Sequence, residues 1–375
     1  MPMSTWIVRD GGPARGLRVA VKDVIDVAGL PTTAGCRAVA RMAAPAVADA
    51  SCLAGLRAAA GAGRASLAGK TNLHELAFGI TGINPAFGTP VNPLDSALVP
   101  GGSSSGSAAA VGAGEADIAY GTDTGGSIRI PAACCGIAGL KTTWGRIPLD
   151  GVWPLAPSFD TVGPMARNIA GLVAGMELLE PGFQVLASPP ARVGRIPLDA
   201  DPVVDAAVDA ALAAAGWQVV PVELAGLGAS STAALTLLEH EAARSNETLM
   251  RASPGEIGAD VLARLRLAAT IPADAIDAAR RERDRCRSEL ARLWERFDLL
   301  ALPTLAGFPP ALKDASVMPA IRGATVLANL VGVPSLALPV PARAALPASI
   351  QLIGPAGSED RLLAAGAVLE LATRG

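Results

Sequence analysis

Pro100-Gly101-Gly102-Ser103-Ser104-Ser105-Gly106-Ser107-Ala108-Ala109-Ala110 is the stretch on which the reading of this chain turns. Its glycines let the backbone turn tightly and approach a ligand, and successive N–H groups in such turns form an anion-binding concavity. The same composition would suit a flexible linker. The neighbours decide between the two. Ala108-Ala109-Ala110-Val111 continues the tract as a helix former, predicting a helix over 105–112, and Ala116-Asp117-Ile118-Ala119-Tyr120 reads as a short apolar strand. That strand leads into a second tract, Gly121-Thr122-Asp123-Thr124-Gly125-Gly126-Ser127-Ile128-Arg129-Ile130-Pro131. Linkers do not alternate with regular elements in this way, so both tracts are read as site loops suited to an oxyanion.

Lysine usage points to a third segment. Only four of the 31 basic residues are Lys, and three of them lie in Val21-Lys22-Asp23, Gly69-Lys70-Thr71-Asn72 and Gly139-Leu140-Lys141-Thr142. Arg stays protonated in proteins, whereas a buried Lys can lose its proton and act as a base. Lys22 stands out as a base candidate, while Lys70 and Lys141 read as structural strand-end residues.

Together the two tracts and the Lys22 segment resemble the amidase signature family of serine hydrolases. The likeness runs through Leu17 to Thr33, Gly69 to Gly79, Asn84 to Asn92, Pro100 to Thr142 and Ser158-Phe159-Asp160-Thr161-Val162-Gly163-Pro164, and resumes more weakly at Val333-Pro334-Ser335-Leu336 and Ile350-Gln351-Leu352-Ile353-Gly354. It implies a catalytic trio with Ser127 as nucleophile, Ser103 as a bridging Ser preceded by a cis peptide bond, and Lys22 as base. It further implies an oxyanion hole of the backbone amides of Thr124, Gly125, Gly126 and Ser127, and substrate contacts from Ala77, Phe78 and Gly102. The chemistry is coherent, because a serine hydroxyl attacks an amide only with a base beside it, and a Lys desolvated among apolar neighbours can be that base. Departures from the family pattern are Ser105 in place of a glycine, Thr142 in place of a proline after Lys141, and a chain that reaches Lys22 almost at once.

Two competing motifs fail on their context. Gly102-Ser103-Ser104-Ser105-Gly106 fits the nucleophile elbow, which would make Ser104 the nucleophile, but an elbow follows a strand and 91–100 carries two prolines and turn residues. That triad also needs a late His, and the only two are His74 and His240. Gly63-Arg64-Ala65-Ser66-Leu67-Ala68-Gly69-Lys70-Thr71 resembles a phosphate loop with one residue too many between its glycines. Arg129 and Asp123 flank Ser127 and are read as a brace, with a substrate carboxylate as the other reading for Arg129.

A formal charge of −3 and a pI of about 5.6 give no electrostatic footprint for nucleic acid or an anionic membrane. Five cysteines, with no apolar leader around Arg9 and Asp10, fit free thiols in a cytoplasmic protein. No metal and no cofactor are expected, since adjacent Cys134-Cys135 and two His make a poor ligand set. The expected partner is a small-molecule amide; nucleic acid and membrane are not expected, and a homodimer is allowed.

The pattern of elements predicts an α/β fold: a mixed, mostly parallel central sheet covered by helices on both faces, in one domain over 1–375. Strands are expected at Leu17 to Val24, Ile137 to Lys141, Trp217 to Val222, Leu299 to Pro303, Ser335 to Val340 and Ser349 to Leu352. Helices are expected at Val47 to Ala60, Asn168 to Leu179, Val203 to Ala214 and Asp360 to Thr373. A nearly all-helical stretch over 229–295, broken at Ser253-Pro254-Gly255 and Ile271-Pro272, is expected to form a lid. Within it Arg280, Arg281, Arg283 and Arg285, interleaved with Glu282 and Asp284, read as a solvated, salt-bridged face. The function expected is an amidase that frees the acid and ammonia or an amine through a seryl acyl-enzyme. The alternatives are a glutaminase-type subunit of a tRNA-dependent amidotransferase, or a non-catalytic docking protein on the same fold.

Overall fold

Alternate residues of the two strands that lead to the site enter different apolar clusters. Val19 and Val21, with Ile118 and Tyr120, belong to the large cluster, while Ala20 and Ala119 pack with Ala108, Ala110, Val111, Ile128 and Met165 in a second. Successive strand side chains point to opposite faces, so both faces of the sheet are covered and these strands read as continuous apolar runs.

The computed structural model describes residues 4–10, 12, 15–186 and 188–373. The outermost residues of the expected 1–375 domain, 1–3 and 374–375, lie outside the described residues. Among the described residues eleven strands form one sheet: β1 (Trp6–Arg9), β2 (Leu17–Lys22), β3 (Ala65–Thr71), β4 (Ile118–Thr122), β5 (Ala138–Lys141), β6 (Val162–Ala166), β7 (Arg192–Arg195), β8 (Gln218–Pro221), β9 (Leu299–Pro303), β10 (Ser335–Val340) and β11 (Ala348–Ile353), in the order β1-β3-β2-β4-β6-β5-β10-β11-β9-β7-β8.

The sheet is mixed and flanked by helices, as expected, but it is not mostly parallel. Among the described residues β2 pairs in parallel with β3 and β4, and β7 with β8 and β9, while the other six pairings are antiparallel. Connectivity explains the balance. Parallel neighbours need a crossover, which the helices Ala54–Gly61 and Pro202–Ala214 supply between β2 and β3 and between β7 and β8. The segments 142–161 and 341–347 contain no helix, and the strands they join, β5 with β6 and β10 with β11, run antiparallel.

Most expected elements occur within a residue or two of their predicted bounds, including the helix Ser105–Gly112. The helix expected from Val47 begins later, as a single 3-10 turn at Ser51–Leu53 that runs into Ala54–Gly61. Asp49 holds the preceding residues out of the helix by accepting from the Ala28 amide at 2.9 Å and from Arg57. The 229–295 stretch is helical as Leu227–Ser245, Glu247–Ala252, Ala259–Ala268 and Ala273–Trp294. Its arginine cluster divides. Arg285 pairs with Glu282 and Glu289 and Arg280 with Asp277, but the Nε of Arg283 is buried without a hydrogen-bond partner, so that side chain is only partly solvated. No helix among the described residues is long and apolar enough to cross a membrane.

Candidate active site

Because β2, β3 and β4 lie side by side in parallel, their carboxyl ends Lys22, Thr71 and Thr122 share one edge of the sheet. In open α/β sheets this is the edge where ligands bind. The first Gly/Ser tract crosses that edge before entering the helix Ser105–Gly112, and the second leaves it from the end of β4. The Ser104 amide donates to the Ser127 carbonyl at 3.2 Å and ties the tracts together.

Lys22 is fully buried. Its Nζ donates to Ser103 Oγ at 2.8 Å and to Thr122 Oγ1 at 2.7 Å. Burial lowers its pKa from the ordinary lysine value to about 7, against the opposing pull of Asp123 and Asp160. The peptide bond Gly102-Ser103 is cis, and the Ser103 carbonyl accepts from the His74 amide at 3.0 Å. Ser127 is buried but reaches a pocket, and its hydroxyl makes no hydrogen bond among the described residues. The structure thus joins Lys22 to Ser103 side chain to side chain, and Ser103 to Ser127 through adjacent backbone. Ser104, the elbow candidate, is buried and turns its hydroxyl to the Thr122 carbonyl at 3.2 Å.

Asp123 organises the Ser127 loop. Its carboxylate accepts from the amides of Gly126 at 2.8 Å and Ile128 at 3.1 Å, and from Asn329 Nδ2 at 2.8 Å. Arg129 completes the arrangement with Nε and Nη2 on Asp123 at 3.0 and 2.9 Å. Its remaining donors go to the Thr325 carbonyl at 2.8 Å, Gln351 Oε1 at 2.5 Å and Asn329 Oδ1 at 2.7 Å. A guanidinium has five N–H donors. All five are spent on protein, so Arg129 is a brace with nothing left for a substrate carboxylate. Burial alone would raise the Asp123 pKa, but the charge and hydrogen bonds of Arg129 outweigh it and hold the carboxyl well below its usual range. Arg129→Met should leave that carboxylate buried without its hydrogen-bonded ion-pair partner and cost about 3–5 kcal/mol of stability in urea unfolding.

Gly126, expected to offer its amide to an oxyanion, donates it to Asp123 instead. The amides of Thr124, Gly125 and Ser127 have no hydrogen-bond acceptor among the described residues. Asp160 fixes the loop from the other side, accepting from Thr124 Oγ1 at 2.6 Å and from the amides of Leu155 and Ala156.

A narrow pocket of about 40 Å³ opens beside Ser127, with Thr124, Gly125, Ala77, Phe78, Leu238 and Val326 on its walls. Of the three expected substrate contacts it takes in Ala77 and Phe78. Gly102 is not on its wall and packs against the backbone of Gly82, where a Cβ would come within 2.8 Å of the Gly82 nitrogen. The helical stretch supplies Leu235, Leu238 and Glu239 from Leu227–Ser245 and Arg264 from Ala259–Ala268.

Lys70 and Lys141 are structural. Lys70 is fully buried against Asp23 at 2.8 Å, the Pro31 carbonyl and Thr32. Lys141 donates to the carbonyls of Thr142 and Val333. Burial lowers the His74 pKa to about 4, so that ring is neutral. Thr122, bonded to Lys22, and Asp160, bonded to Thr124, are candidate site residues that sequence reasoning missed. The signal for Thr122 was present in its place between the strand and Asp123, but a threonine ending a strand looks like an ordinary β-former. Among the described residues no group of three or more His, Cys, Asp or Glu could hold a metal ion.

The amidase family model matches residues 5–181 and 187–363. One subunit of the glutamyl-tRNA(Gln) amidotransferase of Thermus thermophilus is 35% identical over 98% of this chain and 86% of its own length. The 2-amino-5-chloromuconic acid deaminase of Comamonas testosteroni is 35% identical over 95% of this chain and 81% of its own. A crystal structure of an amidase superposes with a TM-score of 0.81 at 33% identity, covering 96% of this chain and 86% of that one.

Proposed function

This chain belongs to the amidase signature family, whose enzymes act on amide carbon–nitrogen bonds, and from that premise we propose that it hydrolyses a small-molecule carboxamide through a seryl acyl-enzyme. The observation that carries the reading is the buried Lys22 amine, 2.8 Å from the Ser103 hydroxyl and with its pKa lowered to about 7. An amine of this kind is neutral for a large fraction of the time at physiological pH, which is the state a base must occupy.

The steps follow from that geometry. Ser127 rotates its hydroxyl toward Ser103 and gives up its proton, Ser103 passes its own to Lys22, and the Ser127 oxygen attacks the carboxamide carbon. Negative charge on the former carbonyl oxygen is met by the free amides of Thr124, Gly125 and Ser127, a contribution of the kind worth about 3 kcal/mol per donor. Lys22 returns the proton through Ser103 to the leaving nitrogen as the C–N bond breaks. Water, deprotonated along the same path, then attacks the ester and frees the acid. Thr122 holds the amine in line from its other side. The helical stretch 229–295 acts as a lid-like wall within a single domain, supported by its Leu235, Leu238, Glu239 and Arg264 at the pocket. The five free, buried cysteines support a cytoplasmic location.

Ammonia release from aliphatic, aryl and carboxylated primary amides tests the reading, with turnover of at least one class expected and turnover of none counting against it. The likeness to the Thermus thermophilus amidotransferase component favours a second reading as a glutaminase-type subunit. Glutamine hydrolysis that depends on co-purifying subunits would select it.

A further inference from the structure

The pocket at Ser127 adjoins a wider outer groove of about 800 Å³, and Arg264, Arg322 and Glu239 line both. These are the charged side chains on the wall of the inner pocket, whose other walls are largely apolar. Arg264 is partly committed. It stacks on the Phe78 ring at 4.1 Å, donates to the Phe78 carbonyl at 3.0 Å and faces Glu239 at 3.8 Å. Arg322 is not. Its guanidinium makes no hydrogen bond and no ion pair among the described residues, although burial disfavours its charge and Glu239 only partly offsets this.

Its placement ties it to the reacting centre. Arg322 ends the short helix Met318–Ile321, and Gly323, at φ 63°, turns the chain toward Thr325. The Thr325 hydroxyl donates to the Gly125 carbonyl at 3.0 Å, and its carbonyl accepts from Arg129. The segment bearing Arg322 is therefore pinned to the loop bearing Ser127. An anion on Arg322 and an amide carbon at Ser127 would occupy one pocket and belong to one small molecule. The planar fork of a guanidinium matches a carboxylate bidentately, and burying such a pair removes the cost of an unpartnered desolvated cation.

We infer that the acyl part of the substrate carries a carboxylate gripped by Arg322, which makes this residue the determinant of specificity for monoamides of dicarboxylic acids. The inference rests on the amidase reading above and narrows its substrate class. Arg129 has every donor spent and Arg264 is tied to Phe78 and faces Glu239, whereas Arg322 is the pocket guanidinium with no protein partner among the described residues.

The test compares succinamate and glutaramate with 4-oxopentanamide and 5-oxohexanamide, in which a methyl ketone replaces the carboxylate. The wild-type enzyme should favour the carboxylated amides in kcat/KM by on the order of 100-fold, since a site built to bind a polar group rejects the analogue that lacks it. Arg322→Gln should collapse that ratio to within a few fold, mainly through KM, and Arg322→Lys should keep an intermediate preference, which a merely misfolded variant would not. Inhibition by free succinate should weaken in the same order. Equal or better use of the neutral amides by the wild type, or an equal loss on both amide types in Arg322→Gln, overturns the assignment. Turnover of neither pair by a protein whose Ser127 still takes a fluorophosphonate also overturns it while leaving the amidase reading standing. Failure of that labelling removes both.

Discussion

Ser127→Ala is expected to abolish acyl-enzyme formation and to lower amide turnover by at least about 10⁴-fold, because removal of a nucleophile leaves only binding and oxyanion contacts to act. The substitution removes one oxygen from a loop whose shape is set by Asp123, Arg129, Asn329 and Asp160, none of which bonds to the Ser127 hydroxyl. Folding should therefore survive, and urea unfolding of the variant should match the wild type closely. Single-turnover mixing with an activated aryl ester should show an initial burst of product from the wild type and none from Ser127→Ala. A variant that kept its steady-state amidase rate would remove Ser127 from the mechanism.

Lys22→Met should be the other large effect, with a fall in kcat of about 10³–10⁴-fold at neutral pH. The pH dependence carries more information than the loss. With a folded-state pKa of about 7, the neutral amine is scarce at pH 5 and dominant at pH 9, so the wild-type rate should climb through the neutral range and level off above it. The residual rate of Lys22→Met should lack that limb. Stability at this site follows the same proton. The folded-state pKa lies below the unfolded value, so below pH 7 the folded protein holds a buried charge at full cost. Between about pH 7 and 10.5 the unfolded chain binds more protons than the folded one, and stability contributed at this site rises with pH. Lys22→Met should accordingly melt above the wild type at pH 6, with the gap narrowing toward pH 10. A flat wild-type rate profile from pH 5 to 9, or a variant less stable than the wild type at pH 6, would count against a buried, proton-poor lysine.

Much of the candidate site was legible because its residues are unusual for their surroundings. Lysines are rare in this chain, and two Gly/Ser tracts set between apolar elements announced loops at the edge of a sheet. The family likeness then joined Lys22 to Ser103, two residues the structure places in side-chain contact. Thr122 escaped because its role arises only when β2 and β4 lie in register, a pairing over about a hundred residues of sequence that local patterns do not encode. Gly126 misled for a similar reason. A glycine amide in such a loop looks free until Asp123, three residues earlier, folds back onto it.

The sheet shows the same limit. β6 holds Gly163 and Pro164, and β7 is only four residues long, so neither announces itself as a strand. Strand direction is set by what connects the strands, and an alternating pattern of helix and strand suggests more crossovers than this chain makes. Arg129 and Arg322 illustrate how differently two arginines behave once placed. One is buried with every donor used, the other stands at the pocket with none engaged among the described residues.

If Ser127 is the group that attacks, its reaction with a fluorophosphonate, located by mass mapping, will report it. One adduct is expected, on the peptide containing Ser127, forming faster at pH 9 than at pH 5 and much more slowly in Lys22→Met. An adduct on Ser103 or Ser104, or labelling of Ser127 at the same rate with and without Lys22, would contradict the mechanism.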